Sequence, residues 1–390
     1  MPSLKKDLVF LLTPMACHWK SINDNMQAFY NGQLFDGTRL HGGMAVVINN
    51  GFIAAVVTED TLPPQVERID LNGHYIAPAF IDLQLYGGNG KLFSHELSVE
   101  ALEATYAYCL SGGCSQFLIT LATNSIELFL KGINVVRDYW KQGGRGLLGV
   151  HLEGPYINPL KKGAHIERFI KKPTLKEVKQ LLDAGKGVIK MMTLAPEQCD
   201  TEIIKLLLDS GVIVSAGHSN ATYTEAMEAF NNGIPAATHL FNAMSPLQHR
   251  APGLVGALYD HPAAVSSIVA DGIHVDFAVL RISKHIMKER LFLITDAVTA
   301  TPGGDYPHVF AGDRYTLPDG TLSGSSLTML KAVKNCVEKA GIPLEEALRM
   351  AALYPAILAG QAEAYGRMEP GFKAEMVIFN AALELVDMVV

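Results

Sequence analysis

Apolar and polar positions follow two rhythms along this chain. Between residues 79 and 295, short apolar runs recur at 79–86, 115–122, 147–153, 187–194, 211–217, 236–241, 265–270 and 291–295. Amphipathic stretches such as 175–182 and 224–230 separate them. Near-continuous apolar runs suit parallel strands buried on both faces, and strands alternating with helices give an α/β sheet. Eight such units over this length predict a (β/α)8 TIM-like barrel. An open doubly wound sheet is the alternative, but no Gly-x-Gly-x-x-Gly turn opens a helix where that fold would want one.

The second rhythm belongs to the ends. From 26 to 77 the runs are short and β-rich, broken by Asn31-Gly32 and Asn49-Asn50-Gly51, and Asn-Gly between such runs signals a hairpin. Residues 371–379 have the same character. The two ends are expected to pair into one small β-sandwich domain, 26–77 with 363–390, beside a catalytic barrel at 78–362. Residues 1–25 read as an extension. Lys5-Lys6 and the apolar run Leu8 to Leu12 resemble a secretion signal, but the run is short and Pro14 interrupts it. Met26 is an alternative start. The expected location is the cytoplasm, and no run elsewhere is long and apolar enough to span a bilayer.

Composition narrows the function. The 390 residues are 49% hydrophobic and 18% charged, enough for a large core. A net charge of −7 argues against a nucleic-acid partner, which needs a basic patch, but not against an anionic small molecule. Five scattered cysteines (Cys17, Cys109, Cys114, Cys199 and Cys336) form no zinc-like cluster and read as free thiols.

The chemistry lies where the apolar runs stop. Leu147, Leu148 and Val150 lead into Glu153, and Gly154-Pro155 then breaks the strand. The runs at 211–217 and 236–241 deliver His218 and His239 in the same way. Two imidazoles and one carboxylate suit a catalytic divalent metal with positions open for water and substrate. Strand seven runs into Asp271 and His274, and strand eight ends in Asp296. His151 shares the inward parity of Glu153 one layer deeper, as expected of a hydrogen-bonded core histidine. His18, His41, His74, His95, His261, His285 and His308 lack motif context and read as structural or exposed.

These segments resemble one family. His151-Leu152-Glu153-Gly154-Pro155, Lys162-Gly163-Ala164-His165, Ala216-Gly217-His218-Ser219, Thr238-His239-Leu240-Phe241-Asn242-Ala243-Met244, Asp271-Gly272-Ile273-His274 and Thr295-Asp296-Ala297 are similar to the N-acetylglucosamine-6-phosphate deacetylases of the amidohydrolase superfamily. The likeness runs from about Met26 to the end. It implies one divalent metal on Glu153, His218 and His239, with zinc first and iron, manganese or cobalt also suited. It implies Asp296 as catalytic acid/base, with His165 and His274 contacting the sugar and its acetamide. Asn242, the backbone of Ala243 and Arg250 from a neighbouring subunit would hold the 6-phosphate, in a homodimer or homotetramer. Other amino-sugar deacetylases, or another amidohydrolase reaction, are the alternatives. The chain departs from the pattern at Gln84 and Tyr86, where many relatives carry His-x-His for a second metal. Single-metal members carry Gln-x-Asn, so Tyr86 is unusual. Pro78-Ala79-Phe80 likewise replaces Pro-Gly-Phe.

Overall fold

The computed structural model describes residues 26–301 and 303–390; the expected extension at 1–25 lies outside the described residues. At the centre, eight parallel strands follow in sequence order. They are β1 (Phe80–Leu85), β2 (Cys114–Ala122), β3 (Leu147–Glu153), β4 (Ile189–Leu194), β5 (Ile213–Ala216), β6 (Ala236–Ala237), β7 (Val265–Val269) and β8 (Leu291–Ile294). The last strand returns to the first. The Asp296 amide donates to the Gln84 carbonyl at 2.9 Å, and the Tyr86 amide donates to Ala297 at 2.9 Å. Asp82, buried on β1, accepts from the Thr295 amide at 3.2 Å and from the Thr295 hydroxyl, tying β1 to β8 by side chain as well. The ring is therefore closed, leaving no sheet edge.

The outer helices start where the sequence supplies caps. Thr174 accepts from the Glu177 amide ahead of helix Leu175–Ala184, and Thr222 with Glu225 forms a capping box ahead of Tyr223–Asn231. Each such cap contributes about 1 kcal/mol. Helix Ile126–Lys141 turns Phe129, Ile133, Val136 and Tyr139 inward onto the barrel. Among the described residues, no helix is long and apolar enough to cross a membrane.

The chain ends meet as two facing sheets. Tyr75–Pro78 lies antiparallel to Met376–Phe379, with Ile76 opposite Ile378, in a five-stranded sheet. Met26–Tyr30 and Met44–Asn49 belong to a four-stranded one. Phe29 and Val46 from one sheet pack with Leu34, Ile76 and Met376 from the other. Asn50 and Gly51, both at positive φ, make the expected hairpin turn between Met44–Asn49 and Phe52–Thr58. Asn31-Gly32 does not. It carries the chain from one sheet to the other, and a Cβ on Gly32 would stand 2.6 Å from the His74 carbonyl. A close backbone approach, rather than a hairpin, requires that glycine.

Two differences bear on the site. The run 236–241 is strand only at Ala236–Ala237, because the chain leaves the ladder at His239 (φ 40°) and Phe241 (φ 78°). An apolar run cannot distinguish a strand residue from a buried turn. After β8, a three-stranded ribbon (Val309–Phe310, Arg314–Thr316, Leu322–Ser325) forms that the apolar pattern did not announce.

Candidate active site

Three of the four groups at the rim sit in backbone that side chains rarely adopt. His218 (φ 47°), His239 (φ 40°) and Asp296 (φ 55°) each lie two residues beyond the end of a strand in left-handed conformation, whereas Glu153 is still within β3. Such strain costs about 1–3 kcal/mol per residue and persists only where the surroundings enforce it. Here they do. The His239 amide donates to Ser267 Oγ at 2.7 Å, and the next amide, Leu240, donates to the Ser267 carbonyl at 2.8 Å. Before His218, Gly217 packs so closely that a Cβ would lie 2.7 Å from Thr193 Cγ2.

These turns bring the side chains onto one point. Glu153 Oε1 lies 2.9 Å from His239 Nε2 and 3.2 Å from His218 Nε2, and the two ring nitrogens are 3.1 Å apart. All three residues are buried. His165 approaches the other carboxylate oxygen, with Nε2 3.2 Å from Glu153 Oε2. On distance alone, Glu153, His165 and His218 also form a cluster able to hold an ion.

The hydrogen bonds sort two of the three histidines. The Thr123 amide can only donate, and it meets His165 Nδ1 at 3.2 Å, so the neutral ring carries its proton on Nε2 and faces Glu153 as a donor. His218 is the reverse. Its Nδ1 lies 2.9 Å from the Lys161 carbonyl, which can only accept, so Nε2 keeps a lone pair for the centre. His239 Nδ1 has no partner among the described residues, and its Nε2 points into the same space. Lone pairs converging with a carboxylate are what a divalent cation needs, so Glu153, His218 and His239 fit a metal and His165 fits a proton donor.

At His239 burial opposes the charged ring, but the hydrogen bond and charge of Glu153 prevail and raise it above the usual imidazole value, so a cation there would take the place of a proton. Burial opposes ionisation of Glu153, but the hydrogen bonds from His165, His218 and His239 hold its carboxyl well below the usual range. Burial, reinforced by His218, pushes His165 down to about 4, so its ring is neutral. Burial raises Asp296 as well; His239 opposes that and the Glu153 charge adds to it. Gln84, expected only as a poor ligand, organises the acids. Its Nε2 donates within reach of Asp296 Oδ1 (2.9 Å), Glu153 Oε1 (3.0 Å) and Tyr86 Oη (2.9 Å).

The remaining residues from the sequence lie further out. His274 Nδ1 is 2.6 Å from Asp271 Oδ2, and its charge is close enough to favour ionised Asp296. Asn242 and Ala243 (φ 50°) form the turn just after His239. Arg250 is not brought to the centre. It is exposed, its guanidinium has no partner among the described residues, and it lines a separate cavity with Asn220, Thr222 and Tyr223. His151 is buried, with Nε2 2.7 Å from Thr193 Oγ1 and Nδ1 3.1 Å from the Leu83 carbonyl. His308, without motif context, is buried beside Ser323 on the ribbon after β8.

Sequence reasoning missed the support for His165. Thr123 supplies its amide to the ring and its hydroxyl to the Glu153 carbonyl at 3.1 Å. Tyr306 Oη, 183 positions away, donates to the Thr123 carbonyl at 2.6 Å. No local signal marks such a pair, because the fold alone makes the contact.

The chain is similar to known proteins along most of its length. Residues 75–389 match the amidohydrolase family, and 26–76 match the NagA composite domain. The chain is 37% identical to the N-acetylglucosamine-6-phosphate deacetylase of Haemophilus influenzae over 356 residues, 89% of this chain and 93% of that protein. It is 31% identical to the N-acetylgalactosamine-6-phosphate deacetylase of Escherichia coli O157:H7, covering 87% of this chain and 91% of that one. The crystal structure of N-acetylglucosamine-6-phosphate deacetylase from Pasteurella multocida superposes with a TM-score of 0.89 at 35% identity, covering 94% of this chain and 98% of that one.

Proposed function

Because this chain belongs to the amidohydrolase family, we propose that it hydrolyses the acetamide of N-acetyl-D-glucosamine 6-phosphate, giving acetate and D-glucosamine 6-phosphate. One observation carries the reading: two imidazole nitrogens and a carboxylate oxygen meet within 3.2 Å of one another, with Asp296 held beside them by Gln84.

Glu153, His218 and His239 would hold one divalent ion per chain, with zinc the first choice for this donor set. Such an ion polarises an amide carbonyl and brings the pKa of water from about 16 towards about 7. The protein's own groups do the rest. Asp296 takes a proton from the attacking water as its oxygen bonds to the carbonyl carbon. It then delivers that proton to the nitrogen as the C–N bond breaks, so the amine leaves neutral. Burial favours the first half of this task, because it raises the proton affinity of the carboxylate. His165, neutral with its proton on Nε2, donates to the carbonyl oxygen as charge develops there, a contact worth roughly 3–4 kcal/mol. His274, held by Asp271, contacts the sugar.

Asn242, the Ala243 backbone and Arg250 from a neighbouring copy would bind the 6-phosphate in a homodimer or homotetramer. The exposure of Arg250 and of Leu247 on the same loop supports a residue that works outside its own chain. A sugar phosphate is too charged to cross a bilayer unaided, which favours a cytoplasmic enzyme. The Escherichia coli relative supports a second reading, the galacto epimer of the same substrate. Acetate release from N-acetylglucosamine 6-phosphate, N-acetylgalactosamine 6-phosphate and unphosphorylated N-acetylglucosamine, assayed side by side, tests all of this. The gluco phosphate should have the highest kcat/KM; a higher value for either other sugar would displace it.

A further inference from the structure

Tyr86 is the residue at this centre that neither the family pattern nor the reaction explains. Its hydroxyl donates to Glu153 Oε2 and accepts from Gln84 Nε2 at 2.9 Å. The ring is fixed from behind by Leu92, Ala122 and Tyr306, which form a small apolar cluster against it. The phenol is therefore anchored, and its oxygen stands on the side of the carboxylate away from His218 and His239, which meet Oε1.

We propose that Tyr86 is a positioning residue that commits Glu153 to binding the metal through Oε1 alone, by holding Oε2. The inference rests on the metal assignment above. Hydrogen counting supports it. The Gln84 amide has two N–H bonds but three acceptors within 3.0 Å: Glu153 Oε1, Asp296 Oδ1 and Tyr86 Oη. Once Oε1 is given to a cation, two hydrogens remain for two acceptors, and every polar group in the set is satisfied. Oε2 then keeps the Tyr86 hydroxyl as its donor even when His165 Nε2, 3.2 Å from Oε2 here, turns its one proton to a substrate carbonyl. A carboxylate so held cannot swing to chelate with both oxygens, nor lend Oε2 to a second ion. Partners of this kind, touching a ligand but not the ion, typically change metal affinity 10–100-fold.

The test compares wild type with Tyr86→Phe, which keeps the ring and its packing and removes only the hydroxyl. Metal-free protein is titrated with Zn²⁺ against a competing chelator, and the cobalt-substituted forms are examined by visible absorption. Wild type should take up one ion per chain, and Tyr86→Phe should bind it about 10–100-fold more weakly. The cobalt bands of the variant should shift and weaken as Oε2 joins the coordination sphere, since band position and strength report geometry. Equal affinity and superimposable cobalt spectra would overturn the role of Tyr86 while leaving the metal assignment standing. Absence of stoichiometric metal in wild type would overturn both.

Discussion

Two polar layers lie within three residues of each other along the same barrel strands, and they are built in opposite ways. In the deeper layer, His151 Nε2 meets Thr193 Oγ1 at 2.7 Å, Thr193 meets Thr238 at 2.7 Å and Thr238 meets Ser215 at 2.6 Å. Each of these groups is partnered within the protein. In the rim layer, Glu153, His218 and His239 point their lone pairs at one another, and His239 Nδ1 has no partner among the described residues. Both layers are buried, so polarity and burial do not separate structure from function here. What separates them is whether the hydrogen bonds close. A satisfied chain of hydroxyls stabilises the barrel, whereas converging acceptors are costly unless a cation completes them.

That contrast predicts effects of very different size. Removing the ion with a chelator should reduce deacetylation to background and leave the barrel folded, because the deeper layer needs no ion. Adding back zinc, cobalt or manganese should restore turnover. Chelated protein that kept full activity would remove the distinction between the layers. Next, Asp296→Asn should lower kcat by about 10²–10⁴-fold while metal content stays near one per chain, because an amide cannot carry the proton. A variant retaining more than about a tenth of wild-type kcat would put that role elsewhere.

A smaller effect is expected outside both layers. Arg250→Ala should cut kcat/KM for the 6-phosphate substrate by about thirtyfold or more, since loss of one partner of a desolvated charge pair costs about 2–5 kcal/mol. Activity on unphosphorylated N-acetylglucosamine should hardly change. Equal losses on the two substrates would show that Arg250 shapes its loop and does not read the phosphate.

The smallest catalytic effect belongs to the deeper layer. Thr193→Val keeps the shape but leaves His151 and Thr238 short of a partner. It should cost about 1–3 kcal/mol in denaturant unfolding, with kcat little altered. pH sharpens the same point. Burial pushes His151 down to about 4 from 6.5, so between those values the unfolded chain binds a proton that the folded chain refuses. The contribution of the neutral ring to stability is therefore complete above pH 6.5 and declines as pH falls towards 4. Replacing His151 with Gln should flatten the fall in unfolding free energy across that window; an unchanged slope would mean that other groups set it.

Much of this was written locally. The apolar runs place β3 at Leu147–Glu153 and β8 at Leu291–Ile294, where the sequence pattern put strands at 147–153 and 291–295. A parallel strand buried on both faces has to read as a run of apolar residues, whatever surrounds it. The same logic marks Glu153, His218, His239 and Asp296, since a polar residue ending such a run has little reason to be there except chemistry. Asn31-Gly32 shows the limit, because a glycine needed for close approach to His74 looks the same as one needed for a hairpin.

Only the tertiary structure decided which histidine does what. His165 and His218 have the same side chain, and their ring centroids are 4.2 Å apart. One is a donor because the Thr123 amide meets its Nδ1; the other is free to bind a cation because the Lys161 carbonyl meets its own. Nor could the apolar pattern give the grip of Tyr86 on Glu153, or the brace from Tyr306 to Thr123. A sequence determines which groups can reach the rim, since burial and strand period are properties of short segments. Protonation, tautomer and ligand orientation depend on partners brought from far along the chain, and those exist only once the barrel has closed.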